Sequence, residues 1–197
     1  MVNSLRTLLL TAALASGLTG CVLAPQMIEL NESYPLTAAQ VHPQRDALVR
    51  VVDRRQRFSA EQIGHRGGRL PENSPLSIQA ELKDVLTQRL QNSMSQLGFG
   101  GSSPLPPLKV QLDINDFIYT CNEGALVNEC GMQMAFYLTV ISDSQTFTKP
   151  YTIKESRRLA ASPNVQYNQQ WVNEVLDKLW AHIFSDHELM MALNVQR

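Results

Sequence analysis

Leu108-Lys109-Val110-Gln111-Leu112-Asp113-Ile114-Asn115 alternates apolar and polar residues without a break. A period of two marks a strand with one face on a core and the other toward solvent. The same alternation returns at Met132, Met134, Phe136, Leu138 and Val140. Between the two, the phase slips through Asp116-Phe117-Ile118-Tyr119, which predicts a bulge. Ser142 to Gln145 makes a tight turn into a third strand, Thr146 to Arg158, giving a three-stranded meander. Pro150 lies inside that third strand and has no N–H to offer a ladder, which places it at an edge or a bulge.

Working outward, Leu82, Val85, Leu86, Leu90, Met94 and Leu97 recur at spacings of three and four, and Gly98 supplies a stop. Ser74-Pro75 carries the residue types of a helix start, a hydroxyl cap followed by a proline in the first turn. The charged members Glu81, Lys83, Asp84 and Arg89 are assigned to solvent. A second helix is expected from about Asn168 to Phe184, buried through Trp171, Val172, Val175, Leu176, Leu179, Trp180, Ile183 and Phe184. Ser185-Asp186-His187-Glu188 then matches a capping box for a short terminal helix. Upstream, Ala47 to Asp53 and Gln62 to Arg66 read as a pair of strands. The expected fold is α+β: one mostly antiparallel sheet of four to five strands packed by two main helices.

The amino terminus states where the chain works. Arg6 precedes an apolar run from Leu8 to Leu18, and Leu18-Thr19-Gly20-Cys21 closes it as a lipobox. The run is too short for a membrane span, which needs about 20 residues. Residues 1–20 therefore read as a lipoprotein signal peptide, with Cys21 as the lipidation site for palmitate-type acyl chains. Two or more such chains hold a protein stably on a bilayer. Residues 21–45 carry Pro25, Pro35 and Pro43 among polar fillers, an extended lipidated tether able to lift the body clear of headgroups and to lay Met27 to Leu30 against it. Residues 46–197 form a single periplasmic domain.

With Cys21 acylated, Cys121 and Cys130 remain as an even pair in an oxidising compartment, which predicts a disulfide across a hairpin. Two cysteines without neighbouring histidines fall short of a structural zinc site, and the spacing is not that of a C-x-x-C redox pair. The net charge of −1 excludes a nucleic-acid binder at the level of the whole chain. Residues 45–69 nonetheless hold seven arginines against three acids. Arg50, Arg54, Arg55, Arg57, Arg66 and Arg69 form a candidate anion-contact patch, since guanidinium forks suit phosphate and carboxylate. The plainer reading of this stretch is a solvated strand pair with its surface acids.

The order of elements resembles that of the YajG-type lipoproteins of Gram-negative bacteria. The resemblance rests on the lipobox, Ala24-Pro25 leading to Ile28-Glu29-Leu30, the helix Glu81-Leu82-Lys83-Asp84-Val85-Leu86 ending at Leu97-Gly98, and the paired strands that follow. It implies a small α/β envelope lipoprotein and carries no catalytic residue to any position here. The Cys121/Cys130 bracket and the arginine-rich stretch depart from the family pattern. Val22 stands after the lipidated cysteine where enteric bacteria place aspartate for inner-membrane retention, so the analogy favours the outer membrane.

Chemistry is sparse. His42, His65, His182 and His187 show no metal-ligand spacing; the last two are five apart where a helix needs i and i+4. Gly64-His65-Arg66-Gly67-Gly68 lacks both the dinucleotide glycine pattern and a Walker lysine. The carboxylate pairs Asp113 with Asp116 and Glu81 with Asp84 read as solvated faces, and no G-x-S-x-G elbow occurs. Asn73, Leu76 and Ser77 echo a peptidoglycan-binding fragment, but Ala80 stands where that pattern has arginine. The expectation is a noncatalytic protein without metal or cofactor, docking to an envelope protein or anionic lipid. A lipid or lipopolysaccharide transport accessory is the alternative, and a peptidoglycan tether the third reading.

Overall fold

The alternating stretch from Leu108 continues as one sixteen-residue strand, Leu108–Glu123, which is the spine of the sheet. The computed structural model describes residues 23–36, 40–41, 44–101, 103–124, 126–142 and 145–196. In chain order the elements are β1 (Gln26–Ile28), β2 (Gln40–Val41), β3 (Ala47–Asp53), β4 (Gln62–His65), β5 (Pro75–Ile78), α1 (Leu82–Gln96) and β6 (Leu108–Glu123). They continue with β7 (Asn128–Ile141), β8 (Thr146–Leu159), α2 (Val165–Ser185), α3 (His187–Ala192) and β9 (Val195–Gln196). The signal segment and Cys21 lie outside the described residues, as does His42.

The meander β6-β7-β8 forms as its alternation requires, in antiparallel register from Lys109↔Ile141 to Glu123↔Asn128. The register shifts between Ile114 and Asp116, so the phase slip is a bulge that keeps Ile114 and Phe117 on the same buried face. β8, with Pro150, is an edge strand.

The remainder of the sheet differs from expectation in two ways. It has seven strands, in the order β1-β5-β4-β6-β7-β8 with β3 also on β6, and it is mixed. β3 and β4 do not pair with each other. Both run parallel to β6 along the same side, β3 from Leu108 to Ile114 and β4 at Tyr119 and Thr120. A strand of sixteen residues is long enough to hold two short partners end to end. β5 is the second surprise: Ser74-Pro75 opens a strand. Leu76 and Ile78 alternate into the core, and Ser74 Oγ donates to the Gly67 carbonyl at 2.6 Å instead of capping a helix. α1 starts only at Leu82, after Glu81.

The extended N-terminal segment is built into this sheet. Its residues Gln26–Ile28 run parallel to β5, with Ile28 fully buried. A buried relay fixes it: the Tyr119 hydroxyl donates to Asn168 Oδ1 at 2.8 Å, and Asn168 Nδ2 donates to Gln26 Oε1 at 2.7 Å. Burial raises the Tyr119 pKa and keeps the phenol a donor.

Both long helices cover one face of the sheet. Val110, Leu112, Phe117, Tyr119, Met134, Phe136 and Leu138 meet Trp171, Val172, Leu176, Leu179 and Trp180 in one core. Arg89 is a correction: on α1 it faces α2 and is fully buried. It donates to the carbonyls of Asn31 and Ser33 and to Asp177, and it lies 5.0 Å from the Trp180 ring. The terminal helix α3 is capped by Asp186, which accepts from the Glu188 amide, and not by Ser185, whose hydroxyl turns back to the His182 carbonyl. Among the described residues no helix is long and apolar enough to cross a membrane.

Candidate functional site: a cationic cleft on the open sheet face

Helices on one face leave the other face of the sheet bare. Cross-strand register puts Arg50 beside Gln111, Asp113 beside Tyr137, and Ile118, Gln133 and Lys154 in one row on that open side. The connection from β3 to β4, residues 54–61, rises over this face. Its shape is set by Arg55, which folds into its own loop with a side chain only 3% exposed. The guanidinium grips both oxygens of Asp53 and donates to the carbonyls of Gln62, Ser59 and Ala60. Carbonyls that converge on one internal cation give the loop a fixed form before any ligand arrives.

The loop and the sheet enclose a cleft of about 740 Å³. Arg54, Arg57 and Phe58 line it from the loop, and Ile118, Thr120, Gly131, Gln133 and Lys154 from the strands. Arg54 is engaged by Asp113 at 3.1 Å, and Asp116 accepts from Gln133 Nε2. Arg57 and Lys154 make no hydrogen bond or ion pair with any described residue. Two free cations beside an aromatic ring and an isoleucine suit a ligand with an anionic group and an apolar body.

The six-arginine patch is therefore not one surface. Arg54 and Arg57 line the cleft, and Arg50 is exposed further along the same face. Arg55 and Arg66 are structural. Arg66 is buried, donating to the carbonyls of Ala24 at 2.5 Å and Pro163 at 2.9 Å, and burial lowers its pKa. Arg69 lies in an exposed loop at the far end of β4. Consecutive arginines diverge because β3, its loop and β4 point their side chains to different layers.

Cys121 and Cys130 are directly opposite across β6 and β7 and are bonded to each other. Among the described residues no three metal-ligating side chains cluster. His182 packs edge-on to Tyr151, and the carboxylates of Asp113 and Asp116 are taken by Arg54 and Gln133. Glu81 and Asp84 flank Lys83 at the surface. Asn73 lies in a short turn and Leu76 in the core, so the peptidoglycan-like fragment presents no helix start. Sequence reasoning missed Lys154, which joins the cleft from two strands beyond β6 with no local signal. Phe58 did leave one: it is a lone aromatic among arginines.

A mixed seven-stranded sheet covered by helices on one face defines a small α+β domain. Residues 34–194 match the model of a family described as uncharacterized lipoprotein, and the chain belongs to that family, as the YajG-type resemblance implied. No curated protein matches the sequence. Among solved structures, one uncharacterized protein is similar at 11% identity and a TM-score of 0.48, over 81% of this chain and 96% of that one. A Xanthomonas campestris protein of the DUF330 family is similar at 12% identity and 0.42, over 81% and 92%. A putative neuraminyllactose-binding hemagglutinin homolog from Helicobacter pylori is similar at 15% identity and 0.40, over 84% and 98%.

Proposed function

We propose that the protein is a noncatalytic lipoprotein, anchored at the outer membrane through Cys21, whose cationic cleft docks an acidic segment of another envelope protein. The observation that carries this reading is the pair of unengaged cations, Arg57 and Lys154, presented on a preformed loop and a rigid strand. A preorganised site loses little conformational entropy on binding. A second reading, accessory binding of lipid or lipopolysaccharide, draws on Phe58 and Ile118 beside the same cations: an acidic amphiphile fits that combination.

Replacing Gln133 with a photocrosslinking amino acid in intact cells separates these readings. A reproducible protein adduct that disappears in Arg57→Glu/Lys154→Glu supports docking; an adduct of lipid mass favours the second. No adduct, or one indifferent to charge reversal, overturns both. The anchor is checked separately: Cys21→Ala is expected to leave the membrane fraction, and its retention there refutes anchoring.

A further inference from the structure

The end of the domain nearest the lipid anchor is rigidly attached, and its composition fits the surface it would meet. Arg66 fixes the Ala24 carbonyl, and through Pro163 it ties that point to the chain entering α2. Leu23 is half-buried beside Gly68. From Cys21 to Ala24 is three residues, which span at most about 11 Å. A headgroup layer is itself roughly 5 to 8 Å thick on each side of the hydrocarbon. An acylated Cys21 therefore leaves almost no slack. Contrary to the long tether read from residues 21–45, the body cannot stand off from the bilayer, because the chain is held from Ala24 and enters the sheet at Gln26.

Four segments converge at this end. Gly67 presses so closely on the Cys121 carbonyl that a β-carbon there would overlap it. Asn128 donates to Ser162, joining the base of the β6–β7 hairpin to the chain after β8. The hairpin turn closes with the Gly124 amide on the Val127 carbonyl at 3.0 Å. Leu126 at this tip is 89% exposed and Val127 46%, and Leu70, two residues past the Gly68 that packs beside Leu23, is also 46% exposed. Leu126 is the most exposed large apolar side chain among the described residues. The Cys121–Cys130 bond stiffens the prong just behind it. Charges here are mixed, with Arg69 and Arg158 against Glu72, Glu123 and Glu129, so apolar contact is the main attraction.

Resting on the Cys21 anchor, we propose that this end is the membrane-contacting surface, with Leu126, Val127 and Leu70 entering the interfacial layer of the lipid in which the protein is anchored. The cleft, midway along the open face, then stands above the headgroups and faces sideways into the periplasm.

The test uses the lipidated full chain in vesicles of phosphatidylcholine and phosphatidylethanolamine. Leu126 or Leu70 is replaced by p-benzoylphenylalanine, with Ile141 at the opposite end of β7 as the control position. After irradiation, lipid adducts are expected at 126 and 70 at several-fold the yield at 141, with little change when anionic lipid is added. Equal yields from protein still held in the vesicle fraction overturn this orientation while leaving the anchor intact. Loss of the protein from the vesicles overturns the anchor, and the orientation with it. In cells, a protein adduct in place of lipid at 126 assigns this end to a partner and refutes the proposal.

Discussion

Arg89 on α1 and Asp177 on α2 meet at 2.5 Å, with the arginine side chain wholly buried and the aspartate 37% exposed. The pair joins the two helices and, through the carbonyls of Asn31 and Ser33, holds the chain that follows β1. Arg89→Ala strands these acceptors and opens space beside Trp180 and Tyr34. Solvent still reaches Asp177, so the cost falls at the low end for a broken buried pair, about 3 kcal/mol. Lys178→Ala, which removes a solvent-screened pair with Glu155 and Glu174, is expected to leave the midpoint almost unmoved. Urea midpoints of the two variants check the contrast.

Cys121→Ser with Cys130→Ser opens a ring of about ten residues, and chain entropy puts the loss near 2.7 kcal/mol. The β6–β7 ladder extends well past the bond on the strand side, from Thr120↔Gly131 to Lys109↔Ile141. The variant should therefore remain folded. Circular dichroism should be unchanged while the denaturation midpoint falls, and the parent protein under reductant should show the same shift.

Gly64 sits at φ +155°, and a β-carbon there would overlap the Tyr119 carbonyl oxygen. Gly64→Ala should part β4 from β6 and destabilise the fold by more than about 2 kcal/mol. Gly100, also at positive φ but with open space around it, should tolerate alanine better. Thermal midpoints of the two variants test the ranking.

Stability should fall on the acid side. Burial alone would raise the pKa of Asp186, but bonds from Lys149 and Tyr151 outweigh it and hold the carboxyl below its ordinary value. Glu174 is lowered by its bonds from Arg157 and Lys178. For depressed carboxyls the stabilisation is present above the unfolded value, about 4, and is lost as pH falls through the folded one. Thermal midpoints should hold from neutral pH to about 5 and then drop. Lys149→Met should shallow that drop.

Legibility followed periodicity. β6 and β7 could be read because each alternates over many residues, β8 because a tight turn leads into it, and the bulge at Asn115 because alternation makes a phase error visible. α2 was plain from its broad apolar stripe. β5 was not, because Ser74-Pro75 carries the chemistry of a helix start and only four residues of strand follow. β1 was hidden for the same reason of length: three residues cannot display a period. Arg89 was placed outside because charge argues for solvent, and only the tertiary placing of α2 and of the chain after β1 supplies the acceptors that keep it inside. In the cleft, Arg54 and Arg57 were among the arginines singled out, whereas Lys154 enters through strand register, which a local reading does not reach.

β3 and β4 share one side of β6 and leave a gap opposite the bulge, where the loop 54–61 departs. Because that loop is braced mainly by its own Arg55 and Asp53, the ladders on either side do not depend on the identity of Gln56, Arg57 or Phe58. The break works as a socket: a relative could exchange the plugged-in segment for another recognition tip and keep the same scaffold beneath.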